Sequence, residues 1–302
     1  MNSAFESFFS KIHAHRWKSL RESLLQRECQ VARRNYFCHE EVVAPANSQE
    51  VLPSCFVKSW TEKKSLDLHP QRTTSQLLDF YIMDPASVIV ARSLGVQSGD
   101  RVLDMCAAPG GKTLILAEAL HEAGELIANE LSESRRERLK KVIQNYVPMS
   151  VRSRVWVKGQ DAIKFGLKEP DSFDRILLDA PCSGERHLLE NEKEYLQWSE
   201  SRTKSMGQRQ YGLICSALLS LKAGGRLIYS TCSISPYEND EVVRKFLKKK
   251  GDQIQSLSAK ECIEEHTPHS SFLQFEETEF GVSFLPDRCG YGPMYFAAFT
   301  KI

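Results

Sequence analysis

Between residues 101 and 231 short apolar runs alternate with longer stretches of helical period, and this alternation restricts the possible folds more than any other feature of the sequence. "RVLDMCA" (101–107), "GELIANE" (124–130), "RVWVKG" (154–159), "FDRILLD" (173–179) and "GGRLIYST" (224–231) read as strands. Residues 112–123, 132–145 and 200–221 read as helices between them. Near-continuous apolar strands joined through helices by short links require a parallel sheet covered on both faces. Upstream, "ASVIVARSLG" (86–95) reads as a helix ending on Gly95. Downstream, "GVSFLP" and "PMYFAAFTK" read as a closing hairpin-like pair. Before this region, Phe5, Phe8, Phe9 and Ile12, then Trp17, Leu20 and Leu24, recur at helical spacing, and Pro45 and Pro53 bracket a loop. The expected organisation is a small, mainly helical segment over residues 1–75 and an α/β domain over 76–302.

In such a sheet ligands bind beyond the carboxyl ends of the strands. The first of these ends is "VLDMCAAPGGKT" (102–113). It is no phosphate-binding Walker loop, because Cys106 stands where that loop needs glycine, and no dinucleotide fingerprint, because Gly110 and Gly111 are adjacent. What remains is a tight small-residue turn followed about 20 residues on by an acid, Glu130, a spacing that suits a ribose with free hydroxyls. The next two strand ends carry Asp161 and Asp179. Singly, Glu130 and Asp161 read equally well as loop acids or helix caps. Together, in register, they indicate an adenosine-type ligand without a phosphate cradle, and S-adenosylmethionine fits best.

Two more strand ends carry thiols: "ILLDAPCSGERH" (176–187) delivers Cys182 and "YSTCSIS" (229–235) delivers Cys232. "DMCAAPGGKT", "DAPCSG" and "YSTCS", in this order, resemble the Nop/Sun-type RNA cytosine-5 methyltransferases over about residues 76–302. "FYIMDPAS", "GYGPMYF" and the amino-terminal "FESFFSKIHAHRWKSLRESLLQ" are similar to the family's single-domain, mitochondrial-like branch. The resemblance implies a Rossmann-like class I methyltransferase fold with a mostly parallel seven-stranded sheet. It also implies methyl transfer to carbon 5 of cytosine in rRNA or tRNA through a covalent cysteine adduct. Carbon 5 is a poor nucleophile until a thiolate adds at carbon 6, and a second group must then assist elimination. The residues alone leave open which thiol attacks, since a Pro-Cys dipeptide such as Pro181-Cys182 is the nucleophile in DNA cytosine methylases. The resemblance assigns Cys232 as nucleophile and Cys182 as release group, and implies that Asp179 contacts the base or holds the reacting groups in place, with Asp179 also among the cofactor-binding residues. It further implies that Cys106, Ala107, Ala108, Pro109, Gly110, Gly111 and Lys112 embrace the methionine end of the cofactor. Glu130, where the family usually has Asp, Arg135 and Asp161 then hold the adenosine.

Ordinary globular composition excludes a disordered or fibrous chain, and no apolar run is long enough to cross a bilayer. Nine scattered cysteines indicate a reducing compartment, expected to be the cytoplasm, or the mitochondrion in a eukaryote, although Glu6 and Glu22 speak against a transit peptide. No C-x-x-C pair occurs, so no metal site is expected. The net charge of +1 conceals seven Lys and Arg against four Glu in residues 1–40. By itself that weak excess reads as a solvated face more readily than as a nucleic-acid site; with the resemblance, Arg16, Lys18, Arg21, Arg33 and Arg34 are the expected candidate RNA contacts, and the basic run 135–141 is read mainly as a solvated helix face. A partner protein could also select the substrate. The competing reading is a non-catalytic RNA-binding assembly factor on the same fold, which would have no use for two thiols and Asp179.

Overall fold

The computed structural model describes residues 2–26, 29–57, 69–121, 123–267 and 272–302. Helices α1 (Ser3–His13) and α2 (Trp17–Leu25) open the chain, α1 capped by the Asn2 side chain, which accepts from Ala4 N and Phe5 N. The helical spacing in this stretch has its expected consequence: Phe5, Phe9, Trp17, Leu20 and Leu24 are buried together, against Tyr195, Trp198, Ile234 and Leu285. A small antiparallel sheet crosses the expected boundary at residue 75: β1 (Val31–Arg34), β2 (Gln49–Leu52) and β3 (Cys55–Val57) come from the amino-terminal segment and β4 (Phe80–Met83) from beyond it, in the order β2-β3-β1-β4. These strands are three or four residues long, too short for a period-2 pattern to stand out in the sequence.

After α3 (Pro85–Ser93) the alternation takes the expected form. It comprises β5 (Arg101–Asp104), α4 (Gly111–Ala119), β6 (Glu125–Asn129), α5 (Glu133–Tyr146), β7 (Val155–Lys158), β8 (Phe173–Asp179), the helix Glu200–Ser220 and β9 (Leu221–Thr231). Strands β7, β6, β5, β8 and β9 are parallel neighbours in that order, and β13 (Met294–Lys301) joins β9 antiparallel. Among the described residues the sheet has nine strands rather than seven: to the six of β7-β6-β5-β8-β9-β13 are added β10 (Ile254–Leu257) and a hairpin of β11 (Glu276–Glu277) and β12 (Val282–Phe284), which lie one after the other along the free edge of β13. One face is covered by α3, α4 and α5, and the other by the Glu200–Ser220 and Asp240–Lys250 helices. Among the described residues no helix is long and apolar enough to cross a membrane.

Candidate active site

The loop from β5 to α4 begins the site. Gly110 adopts φ +119°, a left-handed conformation that side chains resist, and a Cβ on Gly111 would sit 2.8 Å from the Tyr81 ring. Two adjacent glycines thus let the backbone turn into α4 beneath β4. Thr113 secures the turn by donating from Oγ1 to Asp104 Oδ2 at 2.7 Å. Asp104 is buried, and among the described residues its other oxygen, Oδ1, has no hydrogen-bond partner. Burial pushes this carboxyl up to about 7, with the nearby Asp179 charge adding and the Thr113 hydrogen bond opposing.

A cavity of about 200 Å³ lies over this loop, lined by Tyr81, Asp104, Cys106, Ala107, Ala108, Pro109, Gly110, Gly111 and Lys112. An adjoining cavity of about 290 Å³ is lined by Glu130, Leu131, Arg135, Asp161 and Ile163. Glu130 is almost fully buried and accepts from Ser132 N at 2.9 Å, while Arg135 reaches it at 3.4 Å and donates to Ala108 O. Asp161 caps the following turn through Ile163 N, as a helix cap would, and also lines the cavity. A buried, unpartnered acceptor at Asp104 beside a glycine turn, next to a pocket with two acids, fits a ligand with an ammonium at one end and a ribose farther on. Those are the demands of S-adenosylmethionine.

The third cavity, about 520 Å³, contains both thiols together with Lys112 and Asp179. Strands β8 and β9 are parallel with Asp179 opposite Ser230. Three residues beyond Asp179 and two beyond Ser230 the chains bring Cys182 Sγ and Cys232 Sγ to 2.8 Å. The hydrogen bond to Cys232, then burial and the Cys232 charge, raise the Cys182 thiol well above its ordinary range. Asp179 accepts from Lys112 Nζ at 2.8 Å and from Ser230 Oγ at 3.0 Å. Burial acts to lower the Lys112 ammonium, but the attraction of Asp179 outweighs it and holds Lys112 above its ordinary value. Nζ also donates to Ser87 Oγ at 3.0 Å. All nine cysteines are free thiols, and among the described residues no three His, Cys, Asp or Glu side chains are grouped to hold a metal ion.

Every residue expected at the site from the sequence therefore lines one of three contiguous cavities. Asp104, Ser87, Leu131 and Ile163 line them too but were not singled out. Asp104 could have been, since it ends a strand as Asp179 does; Ser87 comes from α3, outside the alternating region, and only the packing of that helix reveals it.

The expected RNA contacts at the amino terminus need correction. Arg33 is 2% exposed and paired with Glu118, Arg16 is held by Asp287 and Glu276, and Arg21 is held by Glu6. The Arg34 guanidinium lies over the Phe56 ring. Their acidic partners come partly from the α/β domain, so the charges attach this segment to the fold. Of the five residues, Lys18 stays exposed without such a partner among the bonds described.

A family model for the 16S rRNA methyltransferases RsmB/F matches residues 91–300. A bovine protein named 5-cytosine rRNA methyltransferase NSUN4 is 38% identical over 85% of this chain, which spans 71% of that protein. The zebrafish mitochondrial tRNA (cytosine(34)-C(5))-methyltransferase is 35% identical over 76% of the chain, which spans 62% of it. Among solved structures, NSun6 from Pyrococcus horikoshii superposes with a TM-score of 0.72 at 18% identity, covering 99% of this chain and 98% of that one, a likeness of fold.

Proposed function

The chain belongs to the RsmB/F family of Nop/Sun-type RNA cytosine-5 methyltransferases, and from that premise we propose that it uses S-adenosylmethionine to methylate carbon 5 of a cytosine in ribosomal or transfer RNA. The observation that carries this reading is the pair of thiols 2.8 Å apart in one cavity with the Lys112–Asp179 ion pair. S-adenosylmethionine, when bound by the Ala107–Lys112 turn, Asp104, Glu130 and Asp161, supplies an electrophilic methyl group.

The rest is done by the chain. The target base must be single-stranded or flipped out of a helix to enter the cavity, at a cost of a few kcal/mol. Asp179, fixed by Lys112 and Ser230, accepts a hydrogen bond from the base. Cys182 keeps its proton and donates it in a hydrogen bond to the Cys232 thiolate. Cys232 forms a bond to carbon 6, which makes carbon 5 electron-rich enough to take the methyl group. Once Cys232 is bonded to carbon 6, the hydrogen bond and the charge that raised Cys182 are gone, so Cys182 gives up its proton to water more easily before the step that needs a base. It then takes the proton from carbon 5, the bond between Cys232 and carbon 6 breaks, and the electron pair returns to sulfur. In a eukaryotic cell we place this activity in the mitochondrion, a reading supported by the name of the zebrafish relative. A partner protein then helps to choose the RNA. An assembly factor without chemistry is not favoured by any contact in the site.

The test is a denaturing gel of labelled RNA incubated with protein and S-adenosylmethionine. Cys182→Ala accumulates a slow-migrating covalent adduct because elimination stalls, and Cys232→Ala forms none and transfers no methyl group. The adduct appearing only in the Cys232 variant would reverse the two roles. Methylation intact in both variants would remove the covalent mechanism.

A further inference from the structure

Glu185 and Glu238 are fully buried carboxyls that the chemistry above does not use. Glu185 begins the short helix that follows the Cys182 loop, and Glu238 ends the turn that follows the Cys232 loop. Between them lie the hydroxyls of Ser183 and Ser233, the residues directly after the two cysteines. Ser233 Oγ is 3.0 Å from Glu185 Oε1 and 3.2 Å from Glu238 Oε1, and Ser183 Oγ bridges the same two oxygens. The other oxygens reach across. Glu185 Oε2 accepts from Ile234 N at 2.9 Å, so the Cys182 side grips the backbone of the Cys232 loop. Glu238 Oε2 accepts from Ser183 N at 2.9 Å, so the Cys232 side grips the backbone of the Cys182 loop. Gln210 Nε2 joins this second grip, donating at 2.8 Å to Glu238 Oε2 and at 2.9 Å to Pro181 O.

Counting hydrogens shows what state the group needs. The ring formed by the two hydroxyls and the two Oε1 atoms has four hydroxyl–carboxyl contacts, with the hydroxyl oxygens themselves 3.4 Å apart across it, but only two hydroxyl hydrogens. With both acids ionised, two contacts have no hydrogen and two like charges face each other away from water. One carboxyl proton fills a third contact and removes one charge. Burial, and for Glu185 the facing Glu238 charge, push both carboxyls above their ordinary range in the same sense.

We propose that Glu185 and Glu238 share one proton and act as a crossed clasp on the two thiol loops, fixing the separation at which Cys182 and Cys232 meet the base. They are positioning residues for the reaction proposed above, and the inference rests on that reading. The backbone around Glu238 is itself braced, with Tyr229 OH donating to Glu238 O at 2.5 Å and Asn239 Nδ2 donating to Ser233 O at 2.9 Å. The acid therefore has little freedom to reach its partners in another way.

The amide variants test the proton directly. In Glu185→Gln the amide nitrogen donates to both hydroxyls, its oxygen accepts from Ile234 N, and the hydroxyls donate to Glu238, so every contact has a hydrogen. Glu238→Gln works symmetrically. In the double variant each hydroxyl meets amide donors from both sides, and with the two hydroxyl oxygens 3.4 Å apart at most one of their hydrogens finds an acceptor, in the other hydroxyl; flipping either amide sets its NH2 against Ile234 N or Ser183 N. Both single variants are expected to keep near wild-type kcat. The double variant and Glu185→Ala should lose about a hundredfold in kcat at unchanged KM for the cofactor, the consequence of misplacing reacting groups by about 1 Å.

A second readout needs no turnover. Diamide takes two hydrogens from the thiols and leaves a Cys182–Cys232 disulfide, read by mass as the loss of two hydrogens. The wild type and single variants should close this bond at the same rate, and the double variant more slowly. Equal rates and equal kcat throughout would overturn the clasp, and single variants as impaired as the double would overturn the shared proton. If the double variant does not fold, the single variants decide, since impaired closure in either refutes the proposal. A wild type that shows the expected order of disulfide closure but methylates no RNA would refute the proposed function and leave the clasp standing.

Discussion

Replacing Arg33 by Met should destabilise the protein strongly and leave its RNA affinity almost unchanged, although a basic amino-terminal residue invites the opposite expectation. Arg33 Nη1 lies 2.7 and 2.6 Å from the two oxygens of Glu118, with side-chain exposures of 2% and 14%. Without Arg33, Glu118 retains as a hydrogen-bond donor the Tyr36 N–H at 3.2 Å, and a nearly buried carboxylate has lost its counter-ion. Breaking a buried pair from one side costs about 3–5 kcal/mol. At the usual entropy of unfolding per residue, a chain of this length would lose roughly 5–8 °C in Tm. Among the described residues Arg33 Nε and Nη2 have no hydrogen-bond partner, so the pair is imperfectly compensated for leaving water. Replacing both Arg33 and Glu118 by Met should therefore recover most of the loss. The assay is thermal unfolding by circular dichroism, together with RNA filter binding over a salt series. An RNA phosphate contact would behave oppositely: stability would change by less than about 0.5 kcal/mol, and the salt slope would fall by about 1. That pattern, or a double variant as unstable as the single one, would refute the structural role assigned here. Glu118 lies in α4, whose first residue, Gly111, belongs to the cofactor turn, so cofactor affinity should fall with stability in Arg33→Met and return in the double variant.

Two further outcomes follow from the cofactor end of the site. The carboxyl of Asp104 is raised from 3.8 to about 7 in the folded chain, which then binds the extra proton over that window; cofactor-free stability should fall as pH rises from about 4 to about 7, and Asp104→Asn should make the slope shallower in urea titrations. Glu130→Ala should weaken S-adenosylmethionine binding about tenfold to a hundredfold through lost hydrogen bonds to a charged acceptor, and unchanged affinity by calorimetry would remove Glu130 from the ribose site.

The parts of this fold that repeat a strong period were legible in the sequence. Strands β5 to β9 are apolar on both faces and bounded by turns, so hydrophobicity alone located them within a few residues. The small sheet of β1 to β4 was not legible, because it is assembled from pieces up to 52 residues apart (Val31 with Met83) that pair only in three dimensions, as Ala32 does with Ile82 and Phe56. Arg33 was misread for a related reason. A charged residue in a basic segment carries no local mark of the acid that neutralises it, and Glu118 is 85 positions away. The thiols and the strand-end acids were legible because sheet topology collects strand ends at one edge. The clasp beneath the thiols was not, since Glu185 and Glu238 are ordinary polar residues until their loops are placed side by side.

The order of the strands explains how one edge can serve two substrates. In the order β7-β6-β5-β8-β9, Glu130 and Asp161 follow β6 and β7, the glycine turn follows β5, and the thiols follow β8 and β9. On the proposed function, a cofactor lying along the first three ends would point its reactive end toward β8, and a base held over the last two would sit next to it. The join between the two halves is Lys112, which enters from the glycine turn and pairs with Asp179 at the end of β8. One half-buried ion pair thus belongs to both cavities, and under the proposed function displacing it would move the methyl donor and the base relative to each other. Loss of the Lys112 charge also leaves Asp179 held by Ser230 Oγ at 3.0 Å, where it is free to turn away from the base. The adjacency of β5 and β8 in the sheet is what makes this single contact sufficient, because no other pair of parallel neighbours brings the cofactor turn beside a thiol-bearing loop.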